Sequence, residues 1–250
     1  MRKTTYTVII LAAGSGSRMK SKVKKQFMDF LGKPLIYYAL NAFQHSPVND
    51  IVLVTGKDAI EYCEKEIVEK YKFTKVKAVV EGGSERYESV YNGLKEVNSD
   101  YVLIHDGARA FIDEKIIRTS MLGVKKYKAC VVGMPVKDTI RVVDEELYSA
   151  STPRRSALWQ VQTPQSFVTK EIKEAYKKMM DGDCSDITDD AMVMERYGDR
   201  KVKLLEGSYD NIKVTTPEDI VIGEILIQPT FDASRKIKEK IKKVVDNQKE

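Results

Sequence analysis

A chain of 250 residues, 42% hydrophobic and 32% charged, has the composition of an ordinary water-soluble protein with ample length for one large buried core. Its net charge of +5 is the small difference between 42 basic and 37 acidic residues, too mild to point to nucleic acid. No apolar run approaches the roughly 20 residues of a membrane span, and the opening MRKTTYTVIILAAG is too short in its apolar part to be a signal peptide. Cys63, Cys130 and Cys184 are scattered without a CxxC, as expected of reduced packing cysteines in a cytoplasmic protein; with His45 and His105 the only histidines, a histidine-rich zinc site is disfavoured.

The first element is an apolar run that breaks into a glycine–serine loop, VIILAAGSGSRM, residues 8–19. A buried strand delivering such a loop offers free backbone N–H groups to a phosphate, and Arg18 adds a fixed charge beside them. Met19 stands where a dinucleotide-binding GxGxxG needs its third glycine, and no GxxxxGK[ST] occurs. Taken alone the loop is equally a tight strand-to-helix turn. Lys24-Lys25-Gln26-Phe27 brings more charge to the same edge, as a nucleoside triphosphate site requires.

Short β-branched runs at residues 8–11, 51–54, 76–80, 101–105 and 130–134 predict central strands. Helical stripes alternate with them: Leu35, Ile36, Ala39, Leu40 and Phe43, with Pro34 in the first turn; Ile60, Cys63, Ile67 and Tyr71; Tyr87, Val90, Tyr91 and Leu94; Ile116, Ile117, Met121 and Val124. The alternation predicts an α/β fold, a mostly parallel Rossmann-like sheet with helices on both faces, which binds ligands beyond the carboxyl ends of its strands. It breaks at about residues 137–160. There a strand at 141–143, a turn at Asp144-Glu145-Glu146 and a return strand at 147–149 predict a projecting β-arm. Two strands cannot bury both faces alone, so the arm implies a homodimer. Helices follow at 171–180 and 189–197, and Thr216-Pro217-Glu218-Asp219 is a helix start. Residues 1–230 read as one domain. Residues 231–250 form a basic tail whose Ile237, Ile241 and Val244 or Val245 share a helical stripe, docked or frayed, its lysines a solvated face rather than a nucleic-acid or membrane contact.

Five further segments carry chemistry. Gly82-Gly83-Ser84-Glu85-Arg86 and Ser89 follow a strand: two glycines let a backbone approach a base or ribose, although a plain turn with a helix cap reads equally well. His105-Asp106-Gly107-Ala108-Arg109 ends a strand with an acid placed for Mg²⁺ and an arginine for a second anion; the alternative is a local ion pair, and His105 reads as structural. Pro135-Val136-Lys137-Asp138-Thr139 enters the arm. Arg154-Arg155 leaves it, either as plain surface charge or to cap a partner's anion site. Asp186-Ile187-Thr188-Asp189-Asp190 reads as a helix cap, and Asp210-Asn211-Ile212-Lys213 as the end of a strand. Arg18, Lys25, Arg109, Arg155 and Lys213 around Asp106 describe a polyanion site with one metal ligand, and no serine–histidine–acid or cysteine–histidine set competes with it.

LAAGSGSRM, KKQF, GGSERYESV, HDGAR, PVKDT, RRSALWQVQTPQSF, ITDDA and DNIKVTTPEDI occur in the order and spacing of one family, which the chain resembles from about residue 8 to 227: 2-C-methyl-D-erythritol 4-phosphate cytidylyltransferase. The resemblance implies transfer of CMP from CTP to a polyol phosphate, with Mg²⁺ as cofactor and release of pyrophosphate. By motif position it implies that Ala12, Ala13, Gly14 and Arg18 line the triphosphate. Gly82, Gly83 and Ser89 would hold cytosine and ribose; Arg18, Lys25 and Lys213 would be catalytic. Asp106 would bind the metal, with Asp210 a second metal contact. Asp106, Arg109, Thr163, Thr188 and Lys213 would surround the acceptor, joined by Thr139 and Arg155 from the other subunit. Ala110 stands where the family commonly has proline and Gly107 where alanine is usual, which predicts a looser loop beside Arg109. Ribitol-5-phosphate cytidylyltransferase shares several of these segments and is the rival reading; Asn211 and Lys213 lean toward methylerythritol phosphate. A noncatalytic nucleotide-binding subunit is a rival of another class, against which the retained Arg18, Lys25, Asp106 and Lys213 argue.

Overall fold

The computed structural model describes residues 2–14 and 24–227. Arg18 and the tail at 231–250 lie outside the described residues. The chain runs β1 (Tyr6–Ala12), β2 (Asp29–Phe30), β3 (Lys33–Pro34), α1 (Leu35–Gln44), β4 (Asp50–Thr55), then α2 (Ile60–Tyr62), which continues as a π-helical turn Cys63–Glu69. Next come β5 (Val76–Glu81), α3 (Arg86–Lys95), β6 (Tyr101–Asp106), α4 (Glu114–Tyr127) and β7 (Ala129–Pro135). The arm strands β8 (Val142–Val143) and β9 (Ser149–Ser151) precede β10 (Trp159–Val168), α5 (Thr169–Met180), α6 (Asp190–Tyr197), β11 (Lys203–Glu206) and α7 (Pro217–Ile227).

Seven strands form one sheet in the order β11-β7-β10-β6-β1-β4-β5. All its pairings are parallel except those of β10, which runs against both β6 and β7. Both faces are covered, and the pleat assigns side chains between them. Val8, Ile10 and Ala12 of β1 pack with Ile36, Leu40, Phe43, Ile67, Ile117 and Val124 on one face. Ile9, with Val52, Val102 and Ile104, packs with Val90, Leu94, Ile172, Tyr176 and Met194 on the other. The predicted mostly parallel sheet between two helical layers is therefore present.

Three local expectations change, and β10 is not among the predicted strands. Pro34 precedes α1 as its extended cap (ψ 142°) instead of occupying its first turn. The arm's return strand starts at Ser149, because Leu147 takes a left-handed φ of 68° within the turn. Asp210-Asn211-Ile212-Lys213 does not end a strand: β11 stops at Glu206, and these residues belong to the loop leading to α7. Finally, β10 carries Pro164 in its centre, which the ladder accommodates by a break in pairing with β7 between Val161 and Gln165. The arm leaves Ile140, Val142, Val143, Leu147 and Tyr148 exposed. Among the described residues no helix is long and apolar enough to cross a membrane.

Candidate active site

The chain passes from β1 through β4 to β5 on one side of β1, then returns to place β6 on its other side. At such a reversal the loops after two neighbouring strands part and leave a crevice. A cleft of about 410 Å³ lies there, lined by Ala12, Ala13 and Gly14 after β1, by Gly83 to Arg86 and Ser89 at the start of α3, by Asp106 at the end of β6, and by Lys25 and Lys213. Sequence-predicted residues from five separate segments thus meet in one place.

The wall formed by the loops after β1 and β5 is tightly built. Gln26 is buried and donates from Nε2 to the Ala12 carbonyl at 2.5 Å, tying the Lys25–Phe27 turn to the end of β1. A Cβ on Gly82 would sit 2.7 Å from Ser89 Oγ and collide with Ala13, and one on Gly83 would collide with Glu88. These glycines therefore permit close backbone approach. Ser89 Oγ accepts from the Gly83 N–H at 3.1 Å and donates to the Glu85 carbonyl at 3.2 Å, so its hydroxyl fixes the loop. Glu85 and Glu88 form a capping box at the start of α3. The segment is both a glycine loop on the cleft and a helix cap.

The facing wall centres on Asp106. Its Oδ1 accepts from Arg86 Nε at 3.2 Å and its Oδ2 from Lys213 Nζ at 2.7 Å. Burial pushes this carboxyl up, but Arg86, Lys213 and Arg109 outweigh that and hold it well below the usual carboxylate range. Beneath it, Thr163 Oγ1 accepts from the Asp106 N–H at 3.1 Å and lies 3.0 Å from His105 Nδ1. Because a carbonyl can only accept, Nε2–H donates to that of Arg109 at 3.1 Å, and in the neutral ring Nδ1 then accepts from the Thr163 hydroxyl. Burial lowers His105 to about 4, so the ring is a neutral spacer, the structural role its sequence context suggested.

Other predicted residues stand apart from the cleft wall. Arg109 donates from Nη1 to the Asn211 carbonyl at 2.7 Å and from Nη2 to that of Val161 at 3.4 Å, while its Nε is buried without a partner among the described residues. Asn211 is itself buried and donates to the Thr163 carbonyl at 2.9 Å, holding the loop of Lys213 against β10. Thr139 and Arg155 are exposed at the base of the arm, Arg155 bonding the Lys137 carbonyl at 3.1 Å. Thr188 is exposed ahead of α6, and Asp210 is exposed in its loop. Gly107 does not loosen its neighbourhood: it is buried, its N–H bonds the Leu11 carbonyl at 2.9 Å, and a Cβ there would lie 2.9 Å from that same oxygen. Ala110 is likewise buried, against Phe30, Leu35 and Val214.

Sequence reasoning missed two residues that line the cleft, Gln26 and Arg86, and one buried behind it, Asp190. Gln26 is a polar side chain between lysines and phenylalanine with no periodicity to mark it. Arg86 had a signal, since it follows the glycine pair at the first position of α3 and so faces the cleft. Asp190 had none: of the Asp189-Asp190 pair only Asp189 caps α6, accepting from the Met192 N–H at 2.9 Å, while Asp190 is fully buried against Arg86.

Among the described residues no group of three or more acidic, histidine or cysteine side chains converges as a metal cage. A single carboxylate ligand is nevertheless what Mg²⁺ takes when substrate phosphates and water complete its shell. Asp106 meets that description, since it is ionised and lines the cleft. The donor set fits a metal that arrives with a polyphosphate.

A doubly covered, mostly parallel sheet with glycine loops and lysines around one carboxylate at its switch point defines a nucleotide-using α/β enzyme. Residues 6–229 match the family model described as IspD, 2-C-methyl-D-erythritol 4-phosphate cytidylyltransferase, and the chain belongs to that family. The chain is 49% identical over 225 residues to the enzyme of that name from Lachnospira eligens, covering 89% of this chain and 99% of the relative. It is 47% identical to that from Lachnoclostridium phytofermentans, over 90% and 97% of the two chains. It is similar in structure to 4-diphosphocytidyl-2C-methyl-D-erythritol synthase from Anaerococcus prevotii, with a TM-score of 0.79, 33% identity and coverage of 90% and 99%.

Proposed function

We propose that this enzyme transfers CMP from CTP to 2-C-methyl-D-erythritol 4-phosphate, releasing pyrophosphate and forming 4-CDP-2-C-methyl-D-erythritol, and that it works with Mg²⁺ as a cytoplasmic homodimer. The observation that carries the reading is the Asp106–Lys213–Arg86 cluster facing the glycine loops across the cleft. Relatives at 45% to 49% identity bear the methylerythritol phosphate name, which favours that acceptor over ribitol 5-phosphate.

A phosphate oxygen of the acceptor attacks the α-phosphorus of CTP; a P–O bond forms, the α–β anhydride bond breaks and pyrophosphate leaves. That oxygen is already ionised at neutral pH, so no general base is required. The task is to hold two anions in line and to stabilise added charge. Lys25 and Lys213, with Arg18, neutralise the α-phosphate as it becomes pentacoordinate. The loop Ala12–Ala13–Gly14 offers amide N–H groups to the β- and γ-phosphates, and Gly82 and Gly83 admit cytosine and ribose close to the backbone. Asp106 would hold Mg²⁺, which when bound supplies charge neutralisation to the triphosphate.

Thr163, Arg109 and Thr188 support the acceptor side, with Thr139 and Arg155 reaching it from a second copy. The exposed Ile140, Val142, Val143, Leu147 and Tyr148 of the arm favour such a partner. Cys63, Cys130 and Cys184 are unpaired, as suits a reducing compartment.

Pyrophosphate release from CTP, with methylerythritol phosphate and ribitol 5-phosphate as separate acceptors, tests the reading. Release with the first alone is expected, abolished by a metal chelator. Release with the second alone would transfer the enzyme to another pathway. Measurable CTP binding without release from either would remove the chemistry while leaving the nucleotide site.

A further inference from the structure

Arg86, at the cleft wall, is held by two buried carboxylates. Its Nη1 and Nη2 bond Asp190 Oδ1 and Oδ2 at 3.0 and 2.8 Å, and its Nε reaches Asp106 Oδ1 at 3.2 Å. Asp190 is fully buried on α6, and its Oδ1 also accepts from the Tyr176 hydroxyl of α5 at 2.6 Å. The planar fork of arginine is the side chain that can chelate one carboxylate through both terminal nitrogens and still aim Nε at a second. Lys213, the other cation on Asp106, has a side chain 37% exposed at the end of a flexible stem. One partner of Asp106 is therefore locked, and the other is able to turn toward a ligand.

A buried ion pair of this kind is poor evidence for stability, because desolvation offsets much of its attraction; orientation is the role it fills best. We propose that Arg86, locked by Asp190 and Tyr176, is a positioning residue. It fixes the Asp106 carboxylate through Oδ1 and so keeps Oδ2, on the Lys213 side, ready for a divalent cation carried in by the triphosphate. This rests on the reading of Asp106 as the metal-facing carboxylate. The chain Tyr176–Asp190–Arg86–Asp106 then links α5, α6 and α3 to the end of β6, and none of its first three members needs to touch substrate. Outer partners of metal-binding groups affect metal affinity by about 10–100-fold in comparable sites.

The test is calorimetric binding of CTP with and without Mg²⁺, in the absence of acceptor so that nothing turns over. In Arg86→Lys the gain in CTP affinity conferred by Mg²⁺ should fall at least about tenfold, with metal-free CTP affinity within about twofold of wild type. A residue that merely supported the fold would not separate the two. Tyr176→Phe, which removes one hydroxyl and keeps the packing, should lower the Mg²⁺ gain by a smaller factor and carries the test if Arg86→Lys does not fold. Asp106→Ala is the control. If it abolishes the Mg²⁺ gain while Arg86→Lys and Tyr176→Phe retain it, Arg86 does not position Asp106. If Arg86→Lys weakens metal-free CTP binding equally, Arg86 contacts the phosphates itself and the inference is overturned. If Asp106→Ala keeps the Mg²⁺ gain, the metal reading fails and the inference falls with it.

Discussion

Lys213→Ala separates chemistry from folding in this protein. In the folded chain the Lys213 ammonium rests 2.7 Å from Asp106 Oδ2 with its side chain 37% exposed. A unit charge about 4 Å from the transferring phosphate, at an effective dielectric of about 20, is worth about 4 kcal/mol. Only the part that grows between ground and transition state enters the rate, and preorganised donors of this kind measure about 2.7–4 kcal/mol, or 10²–10³ in turnover. The structural cost is smaller. Arg86 still holds Asp106 after the substitution, and a partly exposed ion pair contributes about 1 kcal/mol or less, which lowers the melting temperature of a chain this size by about 2–4 °C. Pyrophosphate release under saturating CTP and acceptor, alongside a thermal melt, reads both quantities. Turnover at the wild-type rate in a folded Lys213→Ala enzyme would refute the assignment. A melting point lowered by about 10 °C or more, against the few degrees expected, would mean that the Asp106 cluster is chiefly structural.

Three more outcomes follow from the packing. Gly82→Ala forces a Cβ against Ala13 and Ser89 Oγ, and overpacking of this kind costs about 1–3 kcal/mol; a shifted urea midpoint together with weakened CTP binding is expected, and unchanged CTP affinity would show that this loop does not face the nucleotide. Gln26→Ala leaves the Ala12 carbonyl without its side-chain donor, and should cost about 1–3 kcal/mol in a denaturant titration; no loss would mean that the carbonyl finds another partner. His105 titrates near 4 in the folded protein, below its ordinary 6.5, because burial disfavours the charged ring. The unfolded chain therefore binds the extra proton, so its contribution of about 3 kcal/mol is complete above pH 6.5 and is lost as pH falls through 4. Urea titrations between those pH values should show a flatter dependence in His105→Asn than in wild type; equal slopes would place the acid sensitivity elsewhere.

What could be read before folding follows from the range over which each signal acts. Five of the six parallel strands, all but β11, and the stripes of α1, α3 and α4 were legible because a doubly covered sheet demands continuous β-branched runs between helices of period 3.6. β10 was not: its Trp-Gln-Val-Gln-Thr-Pro-Gln-Ser is polar and interrupted, and only the pairing break opposite Val161 and Gln165 lets Pro164 sit inside a sheet. Asp106 announced itself as a charge at a strand end and Lys25 as one following the glycine–serine loop, whereas Lys213 was read at a strand end that proves to be a loop. Asp190 could not, because its meaning depends on Arg86, 104 residues away. Gly107 misled for the same reason. Local propensity makes glycine a loosening residue, whereas the nearby Leu11 carbonyl and Ile36 leave no room for a Cβ.

The reversed strand has a further consequence, for the order in which the protein can be made. β10 separates β6 from β7 in space but follows both in sequence. Until Val168 has been synthesised, β6 and β7 each present an unpaired edge, and Phe167, wholly buried in the finished core, is missing from between them. Such edges invite pairing with other chains, and domains emerging from the ribosome pass through the stage at which they are open. The arm must also be looped out before β10 can enter, although closure entropy grows only slowly with loop length, so extra residues there cost little. Changes of length at the tip of the arm thus cost the closing of the sheet little, while a premature stop just beyond it leaves the two halves of the sheet unsealed and prone to aggregate.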